Sequence, residues 1–195
     1  SLNIYTSATK SYFNLAEFRN SDSQYDWTLE QLAKLPIKWY GGADLSKLHD
    51  LSAAALYGTH TFTDAGEKKE VDIIITHGWV PVVAAYRKAD EDGIPLFGWK
   101  DDGHLDMSND EVVNHMDVVN WFVKMRRLGF KIVQVGHDRK FCREYFIGMK
   151  KAGFKVFDQP QLYVKKSEGF RHIEKKAKSG QLYYLHSEAY EYCLE

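Results

Sequence analysis

The apolar residues in the first half of the chain form short stretches bounded by turn-forming residues. These stretches, at 37–44, 51–57 and 71–76, are rich in β-branched or alternating apolar positions and predict three strands. A short turn joins the first two. Because short turns connect antiparallel neighbours, the first half of the chain predicts an antiparallel arrangement.

The second half alternates helical and strand patterns. Apolar residues between Val112 and Val123 recur at helical spacing, and Ser108-Asn-Asp-Glu111 has the spacing of a capping box at the start of this helix. In order, the predicted elements are a helix at 108–129, a strand at 131–135, a helix at 139–152 and a strand at 154–157.

Two segments of this half repeat one another. Arg127-Leu-Gly-Phe-Lys-Ile-Val133 and Lys151-Ala-Gly-Phe-Lys-Val-Phe157 each hold a helix end, a glycine suited to a left-handed cap and the start of a strand. Two consecutive helix-to-strand passages imply parallel strands with right-handed crossovers. Antiparallel strands followed by parallel ones predict an α/β fold with an RNase H-like mixed sheet and helices on both faces, although other α+β orders share this pattern.

Two acids lie where such a sheet would bring them together. Asp44 ends the first strand, and Asp138 ends the fourth, in Val135-Gly-His-Asp138. In an RNase H-like sheet the first strand lies beside the fourth, and open sheets bind ligands at the carboxyl ends of their strands. The two carboxylates would repel each other unless a cation lay between them, and an all-oxygen site suits Mg²⁺ or Mn²⁺. One or two such ions would suit phosphodiester hydrolysis, as in two-metal nucleases.

Each of the other polar residues near these strands has a structural role as an alternative to a role in the metal site. Asp50 is a candidate metal ligand, but it and Ser46 could equally be turn residues that accept a backbone N–H. His137 precedes the fourth-strand acid, and because neighbouring strand residues point to opposite faces, it is predicted to pack away from the metal. Asp106 is interpreted as a strand-end or turn residue.

Charge is distributed unevenly, although the net charge is only −1. Residues 121–180 carry 16 Lys and Arg against 5 Asp and Glu, whereas residues 1–120 carry 10 against 19. This asymmetry fits a nucleic-acid enzyme whose cations hold phosphates, and it fits equally a set of solvated helix faces. Nothing suggests base-edge readout, so DNA binding would be sequence-independent and salt-sensitive. The predicted DNA-binding residues are Arg139, Lys140, Arg143, Lys165, Lys166, Arg171, Lys175 and Lys176, the last five near or on a helix that ends at Gly180.

Several classes of protein are disfavoured by the sequence. No stretch approaches the roughly 20 apolar residues of a membrane span, and no signal-peptide pattern opens the chain. The cysteines, Cys142 and Cys193, support neither a disulfide framework nor a thiolate metal site. No Gly-Lys-Ser/Thr loop for phosphate binding is present. The start at Ser1 and the end at Glu195, inside a predicted helix, suggest a fragment of a longer protein.

Five short motifs follow one another along nearly the whole chain. They are Leu2-Asn-Ile-Tyr-Thr-Ser7, Gly41-Gly-Ala-Asp-Leu-Ser46, His49-Asp-Leu-Ser52, Gly103-His-Leu-Asp-Met-Ser108 and Gly180-Gln-Leu-Tyr-Tyr-Leu-His186. In order and spacing they resemble the nuclease domain of tailed-bacteriophage large terminase subunits. By motif position, Asp44 matches the family's first-strand acid and Asp138 its fourth-strand acid. The family's third acid comes from a C-terminal helix. The acids available near the end of this chain are Glu188, Glu191 and Glu195, which are interpreted as a solvated helix face, and the matching acid could lie beyond Glu195.

The resemblance implies a function and an organisation. Large terminases cut concatemeric viral DNA into genome lengths and, with a separate N-terminal ATPase domain, pump it through the portal. The implied domains are an arm at 1–38 that follows an ATPase domain absent from this chain, and a metal-dependent nuclease domain at 39–195 with a truncated C-terminal end. The implied partners are double-stranded viral DNA, the small terminase subunit and the portal protein in the host cytoplasm, with no membrane. The fragment alone is expected to be a monomer.

Two other functions fit the same residues. One is a catalytically silent RNase H-like module that binds DNA or the portal, with structural carboxylates. The other is a resolvase-like or transposase-like nuclease core that acts on branched DNA. The aromatic residues of the arm are predicted to pack against the sheet rather than to bind DNA; they are Tyr12, Phe13, Phe18, Tyr25 and Trp27.

Overall fold

Seven strands of the described chain form one mixed sheet. The structure, a computed structural model, describes residues 14–45, 51–109, 113–137, 143–158 and 163–194. The strands are β1 (Trp39–Asp44), β2 (Ser52–Asp64), β3 (Glu67–Pro81), β4 (Leu105–Ser108), β5 (Ile132–His137), β6 (Val156–Asp158) and β7 (Leu182–Tyr183). The helices are α1 (Leu15–Asp22), α2 (Leu29–Ala33), α3 (Val82–Asp92), α4 (Leu96–Asp101), α5 (His115–Leu128), α6 (Arg143–Lys151), α7 (Tyr163–Lys178) and α8 (Glu188–Leu194).

The strand order confirms the predicted mixture of antiparallel and parallel pairs. The sheet runs β4-β3-β2-β1-β5-β6, and β7 pairs with β3. Strands β1, β2 and β3 are antiparallel, whereas β5 is parallel to β1 and β6 is parallel to β5. Helices α2, α5 and α6 pack on one face, and α1 and α7 pack on the other. The chain therefore has the RNase H-like α/β fold that its sequence predicts.

The two repeated helix ends adopt the predicted glycine caps. Gly129 has a φ of 123° and Gly153 a φ of 88°. In the first repeat the Phe130 N–H donates to the Met125 carbonyl at 3.2 Å, and the equivalent bond of the second repeat is 3.0 Å. These bonds satisfy carbonyls left free at the helix ends and turn the chain into the next strand. Each repeat thus delivers one parallel strand.

The β2–β3 hairpin is longer than the apolar pattern indicates. The strands were predicted at 51–57 and 71–76, and they extend to a two-residue turn at Ala65-Gly66, where both φ values are positive. Positive φ at both turn residues matches the twist of a tight hairpin. The outer half of the hairpin is mostly exposed. Alternation gives no signal where neither face is buried.

The start of α5 differs from the prediction. Asn114 caps this helix, and its side chain accepts a hydrogen bond from the Met116 N–H at 2.9 Å. Ser108 is instead the last residue of β4, opposite Pro81 of β3. The predicted capping box at 108–111 is therefore wrong, because strand pairing takes its first residue; residues 110–112 lie outside the described chain.

An insertion that the sequence patterns did not predict follows β3. It consists of α3, α4 and β4, and it has its own apolar cluster that includes Val80, Ala84, Leu96, Trp99 and Leu105. Helix α4 has six residues and β4 has four, which is too short for helical or strand periodicity to stand out. The insertion widens the sheet at the β3 edge.

Residues 14–38 pack on the same sheet through their aromatic side chains, as predicted. Phe18 of α1 is fully buried. The rings of Tyr25 and Trp27 stack at 5.4 Å, and Trp27 meets the ring of Tyr183 on β7 at 5.6 Å. Tyr12 and Phe13 lie outside the described residues.

A buried carboxylate joins α1 to the segment after β7. Asp22 is 4% exposed and accepts hydrogen bonds from the Tyr184 N–H, at 2.8 Å, and from His186 Nδ1. Burial lowers the pKa of His186, but its hydrogen bonds to Asp22 and Asp26 outweigh burial, so the pKa is raised above the ordinary value. Protonated His186 therefore stabilises the docked arm.

We expect His186→Gln to destabilise the chain more at about pH 6 than at about pH 8.5. A histidine whose pKa is raised on folding contributes its full stability below the unfolded pKa of about 6.5, and that contribution is lost as the pH rises through the folded pKa. Urea unfolding of both proteins across this range measures the difference. A difference that does not change with pH would contradict the role of the protonated ring.

Candidate functional site

The parallel pairing of β1 with β5 aligns the two strands that the sequence singled out. Ala43 on β1 lies opposite His137 on β5. In the sequence these residues immediately precede Asp44 and Asp138. Asp44 is the half-buried last residue of β1, paired with Ala53 of β2. Asp138 and Asp50 lie outside the described residues, so the predicted pair of carboxylates stays a prediction.

The seam between β1 and β5 is closely packed at Gly41. A Cβ atom at this position would lie 2.9 Å from Phe122 Cε1 and 2.9 Å from Val135 Cγ2, both in buried side chains. At Gly42, on the opposite face, a Cβ atom would meet no described atom within 4 Å. The absent side chain at Gly41 lets α5 pack over the strands that position Asp44.

We expect Gly41→Ala to lower the free energy of unfolding by about 1–3 kcal/mol, because the surrounding core side chains must shift. Gly42→Ala is the matched control, since it adds the same methyl group one residue later into open space. Chemical denaturation of the two variants measures the contrast. Equal stabilities would show that the seam accommodates a side chain without cost.

His137 packs away from the face of Asp44, as predicted. Its ring is buried and lies 5.4 Å from the ring of Tyr145 and 5.3 Å from that of Phe146, both on α6. Because strand residues alternate between faces, Asp44 points to the face opposite Ala43 and His137. His137 is therefore a core residue of the α6 side.

Strand β6 also ends in an acid, which was not among the predicted site residues. Asp158 is exposed and pairs with His137 of β5. Paired residues of neighbouring strands share a face, so Asp158 lies at the edge of Asp44 but on the opposite face. The sequence did hold a signal, because the second repeat, like the first, leads into a strand that ends in an acid.

The predicted DNA-binding residues occupy different environments. Arg143 is the exposed first residue of α6, and Arg171 and Lys175 are exposed on α7. The side chain of Lys176 is only 14% exposed and forms ion pairs with described acids of β3. Arg139, Lys140 and the side chains of Lys165 and Lys166 lie outside the described part of the chain.

A buried polar network that sequence reasoning missed underlies α7. Asp72 on β3 is 1% exposed and accepts hydrogen bonds from Tyr57, from Thr59 Oγ1 at 3.2 Å and from His172 Nε2 at 2.9 Å. Lys176 Nζ lies 3.5 Å from Asp72. Burial and the hydrogen bond to Asp72 raise the pKa of Tyr57. The network joins α7 to the sheet. The sequence signal for it was Asp72 itself, an acid inside the apolar run at 71–75.

Two further acids make contacts that hold the fold together. Asp106 on β4 contacts His77 Nε2 at 2.9 Å, and burial lowers the pKa of His77 despite this carboxylate. Glu191 on α8 accepts hydrogen bonds from Arg19 Nε at 3.1 Å and from the Tyr184 hydroxyl at 2.8 Å. Asp106 is a strand residue, close to its interpretation from the sequence.

Neither a metal-binding cluster nor a membrane-spanning helix is found among the described residues. Among them, no group of three or more His, Cys, Asp or Glu side chains is placed to hold a metal ion. Within the described chain, every helix is too short or too polar to cross a membrane. Asp138 and Asp50 lie outside the described residues, so the Mg²⁺ or Mn²⁺ site stays a prediction.

Comparisons with known proteins support the fold. Neither protein-family models nor curated proteins match the sequence. The crystal structure of the large terminase of bacteriophage HK97 superposes with a TM-score of 0.72 over 92% of this chain, at 18% sequence identity. The matched chain is longer, and the alignment covers 35% of it. The chain therefore shares the fold of part of a phage large terminase, as the motifs in its sequence predicted.

Proposed function

We propose that the chain is a metal-dependent endonuclease domain of the terminase type, which hydrolyses phosphodiester bonds of concatemeric double-stranded DNA during viral genome packaging. The register of β1 and β5 carries the proposal, since it pairs Ala43 with His137, and these residues immediately precede the two predicted acids in the sequence. The likeness of the fold to a phage large terminase supports duplex DNA as the substrate.

The residues of the site fit a hard divalent cation. Asp44 offers carboxylate oxygens at the end of its strand, and these are the ligands that Mg²⁺ and Mn²⁺ prefer. On its face of the sheet, the position of Gly42 leaves open space among the described atoms. Asp44 and Asp138 would hold the cation, with Asp50 as a further ligand. A bound divalent ion supplies Lewis acidity for the attacking water and the departing oxygen.

The exposed cations would hold the substrate. Arg143 begins α6, the helix that follows β5, and is therefore the described cation closest in sequence to Asp138. Arg171 and Lys175 lie on the exposed side of α7. Contacts of these side chains to phosphates would position the duplex without reading its sequence. In the cell the proposed setting is the host cytoplasm, with the small terminase subunit and the portal protein as partners.

Cleavage of supercoiled plasmid in Mg²⁺ or Mn²⁺, with EDTA as the metal-free control, tests the proposal. We expect nicked and linear products only with metal. Binding of duplex without any cleavage would favour the silent module. A parallel assay on a four-way junction separates the remaining alternative, since a resolvase-like core would cut the junction in preference to linear duplex.

A further inference from the structure

Eight exposed cations gather at the edge of the sheet opposite Asp44. Strands β1, β5 and β6 are parallel, and β1 and β5 start side by side, since Trp39 pairs with Ile132. Strand β6 starts three residues further along, opposite Val135, so all three starts lie on the side of the sheet away from Asp44. Each of these strands is immediately preceded by an exposed lysine, and the two helices that lead into β5 and β6 end in basic pairs. The eight residues, here named the basic edge, are Lys34, Lys38, Arg126, Arg127, Lys131, Lys150, Lys151 and Lys155.

Backbone contacts hold these segments side by side. The Trp39 N–H, next to Lys38, donates to the Lys131 carbonyl at 2.8 Å. The Val135 N–H donates to the Lys155 carbonyl at 2.9 Å. The end of α2 meets the end of α5, where a Cβ atom at Gly129 would lie 2.9 Å from the Ala33 carbonyl oxygen. The basic edge is therefore one continuous surface built from three parts of the sequence.

Few acids adjoin the basic edge in the sequence, and Glu30 lies one helical turn before Lys34. The segments 31–43, 121–137 and 145–157 contain no Asp or Glu. No cation of the basic edge forms an ion pair with a described residue, whereas Lys69, Lys176 and Lys178 elsewhere do. Two edge cations instead lie over aromatic rings, Arg126 over Phe154 at 4.2 Å and Lys150 over Phe146 at 4.7 Å. The edge therefore presents concentrated positive charge to solvent.

Helix dipoles explain only part of this arrangement. A helix C-terminus favours cations, which accounts for the basic pairs at the ends of α5 and α6. Lys38, Lys131 and Lys155 precede strands and have no helix end of their own to complement. Three lysines in the same position before three adjacent parallel strands point to a shared polyanionic partner.

We propose that the basic edge is a second DNA-binding surface, which holds a segment of duplex away from the candidate cleavage site. Duplex DNA carries about one negative charge per 1.7 Å, so it can engage many spread cations at once. The length of β1, at about 3.3 Å per residue, separates the two edges by roughly 17 Å, too far for one phosphate to contact both. The identity of the polyanion as DNA rests on the proposed function, whereas the charge arrangement does not.

Two triple variants with the same charge change test this surface. One is Arg127→Gln/Lys131→Gln/Lys155→Gln, on the basic edge. The other is Lys68→Gln/Arg87→Gln/Lys100→Gln, which removes one arginine and two lysines, all exposed, at other places. Fluorescence anisotropy with a labelled duplex of about 30 base pairs, in EDTA, follows binding between about 50 and 200 mM salt.

We expect the edge triple to weaken binding about tenfold or more at low salt and to reduce the slope of log K against log salt by about 3. The control triple should change affinity less than about twofold. Unchanged binding of the edge triple, or an equal loss in both triples, overturns the proposal. Thermal unfolding verifies that the edge triple and the control triple are folded. If the edge triple does not fold, Lys38→Gln/Lys131→Gln/Lys151→Gln replaces it.

Two further results distinguish this proposal from the proposed nuclease function and from binding of an acidic protein. If plasmid cleavage fails while the edge triple still weakens duplex binding, the second surface stands and the nuclease proposal falls. If wild-type protein cleaves DNA but the edge triple binds duplex as tightly as wild type, the nuclease proposal stands and the second surface falls. Binding of polyglutamate at the edge in place of duplex would assign the surface to an acidic protein and overturn the proposal.

Discussion

Asp44→Asn is expected to lower metal-dependent cleavage of plasmid by roughly 10²–10³-fold while leaving duplex affinity in EDTA unchanged. The amide keeps the size of the carboxylate and removes the charge that would hold the cation. Asp44 ends its strand and is only half-buried, so the fold should accept the change. Asp138→Asn is expected to have the same effect, since both acids would share the ion.

Asp158→Asn is the matched control for this result. It removes an acid from the same sheet edge but from the opposite face, and we expect it to keep wild-type cleavage. Initial rates of nicking over a range of Mn²⁺ concentrations compare the variants. Cleavage that persists in both Asp44→Asn and Asp138→Asn would refute the site, and loss only in Asp158→Asn would move it to the other face.

Asp72→Ala is expected to lower the free energy of unfolding by about 3–5 kcal/mol, the cost of removing one partner of a buried ion pair. Its carboxylate is almost fully covered and accepts hydrogen bonds from the side chains of Tyr57, Thr59 and His172. Alanine would leave these groups without their acceptor, and the mostly buried Lys176 would keep only its ion pair with Glu70 among the described residues. Urea unfolding followed by circular dichroism measures the loss.

The control for this effect is Asp64→Ala on the same hairpin. Asp64 is an exposed acid that pairs with Lys69 at 2.9 Å, and exposed pairs contribute little, so no measurable change is expected. Similar stabilities of the two alanine variants would show that the Asp72 network does not hold α7. Because Arg171 and Lys175 lie on this helix, weaker duplex binding should accompany its loss.

Elements with strong local signals were predicted well. The two glycine caps and the strands after them were found because the capping glycine, the helical spacing before it and the apolar run after it lie within a few residues of each other. The burial of Phe18 followed from its aromatic character. By contrast, the capping box at Ser108 failed, since a strand pairing with Pro81 outweighs a local hydrogen-bond pattern.

Some site residues could likewise be placed from the sequence, and others could not. The position of Asp44 at a strand end could be recognised from the chain itself. The burial of Asp72, and the pairing of Lys176 with it rather than with DNA, could not, because the partners are about a hundred residues apart. An acid or a lysine has the same local pattern whether it faces solvent or a distant counter-charge.

The sequence by itself determined the types of elements, their order and the chemistry available at each strand end, because periodicity, caps and turns act over a few residues. The RNase H-like pattern also predicted that β1 lies between β2 and β5. Only the tertiary structure decided the register that pairs Ala43 with His137 and the positions of β4 and β7 beside β3. It alone brought the eight cations of the basic edge to one side. Strand register depends on the packing of residues far apart in the chain, and no local pattern specifies it.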